Sequence, residues 1–576
     1  MDPVTLEVIR CALQSAAEEM GLSLIRTALS PNIKDRRDCS TALYTVDGRM
    51  VAQAEHIPLH LGLMPTVVRA VLERFPPGSL NPGDAVIIND PYISGSHLPD
   101  VCVIAPLFYR GTPIALAANL AHHVDVGGAV PGSMSTSAVE IFQEGIRIPP
   151  VKLCGRGKLK QELVDLIANN VRTPEEFRGD IQAQLAANAA GERRIQELAD
   201  RYGPKRLLEY MAEIIKYSEK RMRSGLAGLP GGIYCFEDFL EGDGVTEDKI
   251  NIKVALTIKG DSVTVDFTGT HPQVSGPVNA TRGVTLACVY YSLKAVVDPE
   301  IPSNHGMTAP IEVITPPGSL VNPLFPAAVA HANINTAQRI ADAMLGALAQ
   351  ASPERVTAAG TGSMSNFTIG GIHPATGRYY SYVETYGGGQ GAKSDQDGMD
   401  GVHVNMTNTM NTPVEIIELY YPLLVQGYGL LPDTGGAGKY RGGAGMYRAI
   451  NILGEKAAAA VSTERSLNSP WGISGGLPGA PSRLSVNYKN GGGELIKSGK
   501  FTGTLQQGDA IMLETAGGGG FGSPLERDPE NVRRDVLEEL VSKRRAEEIY
   551  GVIFKEGTLE IDTSATAEKR NRLSIR

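Results

Sequence analysis

His97-Leu98-Pro99-Asp100-Val101 and His122-His123-Val124-Asp125-Val126 bracket one apolar, β-prone stretch, and reading that stretch as a hairpin decides how the first half of the chain folds. Val101 to Tyr109 and Thr112 to Ala121 read as two strands, with Arg110-Gly111 as the turn between them. An antiparallel hairpin brings its open ends together, so two imidazole-and-carboxylate sets face one another. Three of the ten histidines of the chain lie here. Neutral ring nitrogens donate well to borderline ions and a carboxylate offsets their charge, so the pattern suits Zn²⁺, Mn²⁺ or Fe²⁺. With Arg110 and Gly111 at the tip, Asp100 pairs with Ala121 and shares its face with His123. A one-residue bulge puts His122 there instead, and hairpin arithmetic leaves both histidines open.

Outward from the hairpin, Asn89-Asp90-Pro91-Tyr92 follows the strand Ala85 to Ile88, which places the Asp90 carboxylate at a strand end or in an Asx turn. His56-Ile57-Pro58-Leu59-His60 alternates after another strand and lines the same cleft or faces solvent. Asp2 and Pro3 open a helix whose apolar positions Ile9, Leu13, Ala16, Met20 and Leu24 recur until Ser30-Pro31. Ser40 to Val46 and Arg49 to Glu55 form a hairpin about Asp47-Gly48, followed by a short helix after Pro65. Three helices close this region: Leu159 to Arg172, Pro174 to about Tyr202 behind a Thr173 capping box, and Pro204 to about Ser224. Gly231-Gly232 marks a boundary. Beyond it period-2 runs such as Ile250 to Ile258 and Val263 to Phe267 dominate, with helices at Val284 to Val297 and Asn335 to Ala349.

The expected fold is α+β and multi-lobed: an α/β metal-bearing region over residues 1–230, a β-rich, glycine-rich region over 231–525 and a helical tail over 526–576. The 576 residues are 42% hydrophobic and 20% charged, with 66 glycines and 36 prolines, which describes a loop-rich globular protein. A net charge of -9 without a Lys/Arg stripe argues against nucleic acid. Six scattered cysteines without a C-x-x-C pair read as free thiols, and neither a signal peptide nor an 18-residue apolar run is seen, which reads as cytoplasmic and not membrane-bound.

Nucleotide motifs are missing. Gly389-Gln390-Gly391-Ala392-Lys393-Ser394 separates its glycine from its lysine, and Gly517 to Gly522 fits G-x-G-x-x-G without a βαβ unit around it. The glycine clusters are expected to serve tight turns rather than to cradle anions. G-x-S-x-G is absent, and neither Cys39 beside Asp38 nor Ser94 and Ser96 near His97 makes a nucleophile by adjacency alone.

Asn89-Asp90-Pro91-Tyr92, Gly95-Ser96-His97-Leu98-Pro99-Asp100 and Ala121-His122-His123-Val124-Asp125-Val126-Gly127-Gly128 together resemble the B-type chains of the ATP-dependent hydantoinase and oxoprolinase family. Arg37-Asp38, His56 to His60, Gly179 to Gln184, Thr407-Asn408-Thr409, Pro432 to Gly438 and the terminal glycine run extend the resemblance over essentially the whole chain. The resemblance implies a divalent metal, zinc or manganese, on His97, Asp100 and His122, since the family pattern His-x-x-Asp-x-Gly-Gly names His122 over His123. Asp125 is implied as a fourth ligand or as a partner of a ring N–H, and Asp90 or Asp125 as general base. It further implies a hetero-oligomer with an A-type ATPase subunit of acetate-kinase or Hsp70-like fold, which binds ATP and phosphorylates a small cyclic amide that this chain helps to hydrolyse. A ketone carboxylase subunit of the acetone or acetophenone type is the alternative within the family. A scaffold holding a structural metal is the alternative outside catalysis.

Overall fold

The computed structural model describes residues 2–54 and 56–574. Glu55, the expected end of one strand, and the Ser94 side chain lie outside what it describes. The first half is built on a seven-stranded sheet of β1 (Cys39–Tyr44), β2 (Met50–Gln53), β3 (Ala85–Ile88), β4 (Asp100–Tyr109), β5 (Thr112–His122), β6 (Val151–Gly155) and β7 (Lys158–Leu159). Its order is β2-β1-β5-β4-β3-β6-β7, and its paired strands run antiparallel.

Both faces of this sheet are buried, which is why β5 reads as continuously apolar instead of alternating. Ala115, Ala117 and Ala121 point into one core with α1 (Pro3–Thr27), while Leu116, Ala118 and Leu120 point into the other. Asp2 caps α1 by accepting the Thr5 N–H at 2.9 Å, and the Ile9, Leu13, Ala16, Met20 and Leu24 stripe is fully buried. After the short α2 (Pro31–Lys34) and β1 and β2 comes α3 (Pro58–Arg74). It begins earlier than its sequence suggests, with Pro58 in its first turn and Pro65 inside it, so His60 is helical rather than part of an extended segment. The helices α4 (Pro91–Ser94), α5 (Gln161–Ala168), α6 (Pro174–Tyr202) and α7 (Pro204–Ala227) complete this half. The start of α5 and the cap of α6 differ from expectation. Lys158 and Leu159 pair as β7 and delay α5, and the Thr173 side chain makes no capping hydrogen bond.

Beyond Gly231, β8 (Gly232–Glu241), β9 (Lys249–Lys259), β10 (Ser262–Asp266) and β11 (Ile311–Ile314) form a four-stranded sheet, only β10 and β11 being parallel. Ile250, Ile252, Val254, Leu256 and Ile258 alternate inward and join the even-numbered face of β5 in the largest core, together with α8 (Arg282–Val297) and α9 (Ala337–Ala351). That core crosses the sequence boundary at Gly231. A buried ionic cluster fastens this sheet to the last strands: Arg465 meets Asp342 at 2.6 Å and Asp238 at 3.0 Å, and Lys500 meets Glu464 at 2.6 Å.

The C-terminal half holds two further sheets. β12 (Asn366–Ile372), β13 (Tyr379–Thr385), β16 (Lys456–Ser462) and β19 (Lys500–Gln506) make one, in the order β13-β12-β16-β19. β14 (Leu423–Leu430), β15 (Met446–Ile452), β17 (Arg483–Asn487), β18 (Gly493–Leu495) and β20 (Ala510–Glu514) make the other, β14 being preceded by α10 (Val414–Tyr420). Their inner faces share one core containing Phe367, Tyr382, Ile450 and Leu513. The glycine clusters serve close approach rather than turning. Gly389, Gly443 and Gly518 lie where strands of backbone cross, and their amides are bonded to the carbonyls of Ala516, Gln390 and Gly443. Three helices, α11 (Pro529–Leu537), α12 (Lys543–Glu548) and α13 (Thr563–Ser574), end the chain over a small core with Ala437 and Tyr550. No helix among the described residues is long and apolar enough to cross a membrane.

Candidate metal centre

The hairpin forms with Tyr109 opposite Thr112, but its register does not hold to the open end. Leu107 pairs with Ala115 and Phe108 with Pro113, so Ile114 is an extra residue in β5 and everything beyond it shifts by one. Asp100 therefore pairs with His122 and not with Ala121. The plain two-residue-turn register, which put His123 on the Asp100 face, is corrected by this bulge.

His97, Asp100 and His122 are buried together, with one potential ligand atom from each lying within 4.8 Å of the others. His97 hangs from the loop after α4, where Gly95 is left-handed, and its ring meets that of His122 edge-on with centroids 5.0 Å apart. His97 Nδ1 donates to the Ala330 carbonyl at 2.9 Å, which leaves Nε2 turned to Asp100 Oδ2, 3.4 Å away. Asp100 Oδ2 accepts from Ser96 Oγ and, at 3.2 Å, from Asn333 Nδ2. His122 Nδ1 lies 3.0 Å from Asn32 Nδ2, which also donates to the His122 carbonyl at 2.7 Å.

Two further groups close the ring. His60 Nε2 is 3.9 Å from Asp100 Oδ1, and His60 Nδ1 is 2.8 Å from Ser40 Oγ. The Asp38 carbonyl accepts the His122 N–H at 3.0 Å, and Cys39 pairs with Ala121, so Asp38, His122 and Asp100 form a row across three adjacent strands. Electrostatics follows from this crowding. Burial, reinforced by neighbouring charge, holds the His122 ring down to about 3 and the His60 ring to about 4, although Asp100 pulls both the other way. For His97 burial also opposes protonation, but the Asp100 carboxylate outweighs it and raises the ring. Asp100 itself is desolvated, yet His97, His60 and His122 hold its carboxyl well below the usual range. Burial pushes Asp38 up to about 6 against the pull of Arg36.

His97 Nε2 and Asp100 Oδ1 are buried and accept no hydrogen bond. Leaving such atoms unsatisfied costs about 1–3 kcal/mol each. Two imidazoles and a carboxylate buried within 4.8 Å of one another fit a borderline divalent cation, so the residues present suit the metal that the hairpin pattern suggests.

The other expected residues lie apart from this cluster. His123 faces the opposite way, with Nε2 3.1 Å from Gln184 Oε1 and its ring against Phe177. The Asp125 carboxylate accepts from the N–H groups of Gly127, Gly132 and Arg172 and from Arg172 Nη1, all between 2.9 and 3.1 Å, so its lone pairs are already used in holding the loop after β5. Asp90 caps α4 through the Tyr92 N–H and pairs with Arg147 at 3.4 Å. Cys39 is buried, and burial raises its thiol far above the usual value, as suits a packed residue. Sequence reasoning missed Asn32, Glu144 and Asn333, for which no local motif exists, and it left Asp38 and His60 without a role.

The chain matches the hydantoinase B/oxoprolinase family over residues 2–524. It is 34% identical to the B-type chain of a putative D-/L-hydantoinase from a Pseudomonas species, across 99% of this chain and 98% of that one. The ATP-dependent caprolactamase of Pseudomonas jessenii superposes with a TM-score of 0.90 at 31% identity over 99% of this chain and 100% of its own. A nucleotide-free acetone carboxylase shares the fold, with a TM-score of 0.91 at 21% identity over 100% of this chain and 83% of its own. Against the 5-oxoprolinase of Dictyostelium discoideum, 35% identical, 91% of this chain spans only 40% of the relative. With the paired histidine-aspartate hairpin intact and the match running through both halves, this chain belongs to the hydantoinase B/oxoprolinase family.

Proposed function

We propose that this chain is the B-type component of an ATP-dependent cyclic-amide hydrolase, with His97, Asp100 and His122 holding a divalent cation, zinc or manganese, at the reacting centre. The observation that carries the reading is the buried triad, whose His97 Nε2 and Asp100 Oδ1 have no hydrogen-bond partner. The names of relatives add to it: the hydantoinase, the caprolactamase and 5-oxoprolinase all concern ring amides, and the first two matches are each one component of a larger enzyme.

A ring amide resists water because resonance must be broken. Phosphorylation of its oxygen by an A-type partner, which would bind the ATP, removes that resonance; water then adds to the ring carbon, the C–N bond breaks with the nitrogen taking up the water's protons, and the resulting acyl phosphate is hydrolysed to carboxylate and phosphate. When bound, a divalent cation lowers the pKa of water towards about 7 or polarises a carbonyl. The chain supplies the rest. Burial keeps His122 and His60 uncharged at neutral pH, so each ring keeps one nitrogen unprotonated and adds no positive charge to the site. Hydrogen bonds to Ala330 and Asn333 hold His97 and Asp100 in place, so little reorganisation is needed when substrate arrives. The acid–base role expected of Asp90 or Asp125 is open also to Asp38, which stands in one row with His122 and Asp100 and whose carboxyl burial pushes up to about 6. Asp125 is already spent on four donors, and Asp90 on capping α4 and pairing with Arg147.

The test is to co-express this chain with an A-type partner and to measure ATP-dependent release of the open-chain product from hydantoin, 5-oxoproline and caprolactam, with bicarbonate plus acetone as control. Ring opening that needs both chains, ATP and the intact triad is expected. Turnover of ketone and bicarbonate alone would move the chain to the carboxylases, and full ring-opening activity in a His97→Ala, Asp100→Ala variant would leave the triad without a role.

A further inference from the structure

One short segment far from the hairpin in sequence, 329–333, meets the triad at two points and is itself gripped by a buried carboxyl, Glu144. Glu144 is fully buried, and its Oε1 accepts the N–H groups of Val329 at 2.7 Å and Ala330 at 2.9 Å. The carbonyl of that same Ala330 receives His97 Nδ1–H. Glu144 thus anchors the backbone one peptide ahead of the Ala330 carbonyl, while the His331 N–H, in the same peptide as that carbonyl, is held by the Pro277 carbonyl at 2.8 Å; together they constrain where the Ala330 carbonyl points, and so the direction of His97 Nε2. Just beyond, Ala332–Thr336 forms a π-helical turn ahead of α9. Such turns carry one residue more than an α-helical one and recur at functional sites. Here the turn delivers Asn333, whose Nδ2 lies 3.2 Å from Asp100 Oδ2 and 3.4 Å from Ser96 Oγ. The reverse amide orientation would set oxygen against carboxylate, so the chemistry itself assigns Nδ2 to this contact.

We propose that Glu144 and Asn333 are the positioning residues of the triad: Glu144 aims His97 Nε2 through the backbone at Val329 and Ala330, and Asn333 engages Asp100 Oδ2 so that Oδ1 is the oxygen left to ligate. The inference rests on the reading that the triad holds a divalent cation. It makes a segment from the far side of the Gly231 boundary responsible for the geometry of a site whose ligands all lie before it. Burial raises the Glu144 carboxyl to about 8, and its Oε2 is buried without a partner. A neutral amide is therefore a fair replacement for it, and glutamine preserves the oxygen that matters. Partners of this kind typically contribute 10–100-fold to metal affinity.

The experiment is Zn²⁺ competition against a chromophoric chelator, with the visible spectrum of the Co²⁺-loaded protein as a report on ligand geometry, for the full chain and for Glu144→Gln, Glu144→Ala and Asn333→Ala. Glu144→Gln is expected to bind within about threefold of the unaltered chain, while Glu144→Ala and Asn333→Ala weaken Zn²⁺ by roughly 10–100-fold and shift the Co²⁺ bands. Should Glu144→Ala fail to fold, Asn333→Ala and the glutamine rescue still decide. Unchanged affinity and an unchanged Co²⁺ spectrum in the alanine variants, beside an unaltered chain that binds, would overturn the positioning roles. Loss in Glu144→Gln equal to that in Glu144→Ala would overturn the part given to Glu144. An unaltered chain that takes up neither ion would instead remove the metal reading, and this inference with it.

Discussion

Asp100 stands directly opposite His122 across the β4–β5 ladder, because Ile114 bulges out of β5 between the residues that pair with Leu107 and Phe108. Side-chain direction alternates along a strand, so that single residue exchanges which of two adjacent histidines faces the carboxylate.

The exchange makes an unequal pair of substitutions. His122→Ala is expected to lower divalent-cation affinity by on the order of 100-fold or more, since a ligand is removed outright and even supporting partners are worth 10–100-fold. His123→Ala leaves bound metal unchanged and costs only the Gln184 contact and packing, about 1–3 kcal/mol of stability. Metal content of the purified variants by mass spectrometry checks both. Equal losses in the two would reject the assignment.

Asp125 is expected to act on the fold and not on the metal. Its carboxylate gathers three backbone N–H groups and Arg172, so Asp125→Ala leaves buried donors unpaired and should destabilise the protein by about 3–5 kcal/mol. Thermal denaturation beside metal analysis separates the two roles. Metal loss as deep as that of Asp100→Ala would return Asp125 to the site.

Acid should unfold the metal-free protein through its buried histidines. Burial holds His122 at about 3 and His60 and His331 at about 4, all below the usual 6.5. As pH falls through 6.5 the unfolded chain gains protons that the folded chain refuses. Stability therefore drops, by up to about 1.4 kcal/mol per pH unit for each ring, until the folded values are reached. Glu144 has the opposite sign: its raised carboxyl favours the fold at low pH and withdraws that support as pH rises from about 4.5 to about 8. Four rings, with His403 also held at about 3, against the raised carboxyls of Glu144 and Asp38 predict a net fall in melting temperature from pH 6.5 to 4.5, shallower in His60→Gln. A flat profile would contradict it.

Gly518 and Gly78 give a contrast in the role of glycine. A Cβ at Gly518 falls inside the Gln390 peptide, whereas one at Gly78 meets nothing within 4 Å. Gly518→Ala should yield little soluble protein, and Gly78→Ala should change stability by less than about 1 kcal/mol. Soluble yield and melting temperature read the difference, and a well-folded Gly518→Ala would refute the crossing-backbone account.

What the sequence determined by itself was local: the α1 cap at Asp2, the strands on either side of Arg110-Gly111, the switch to period-2 patterning after Gly231, and the placing of histidine and aspartate at both hairpin ends. Each follows from propensity, capping or periodicity within a few residues. Tertiary structure alone decided the rest. The bulge at Ile114 leaves no mark in composition: the family pattern named His122, and only the bulge shows how the strand register brings it opposite Asp100. His60 is brought to Asp100 by α3, Asp38 to His122 by the β1–β5 pairing, and Glu144 and Asn333 to the triad by a segment some 200 residues downstream. The dense glycines read as turn formers but serve where backbones cross. Contacts of that range depend on how the sheets and helices pack, and no spacing along the chain encodes them.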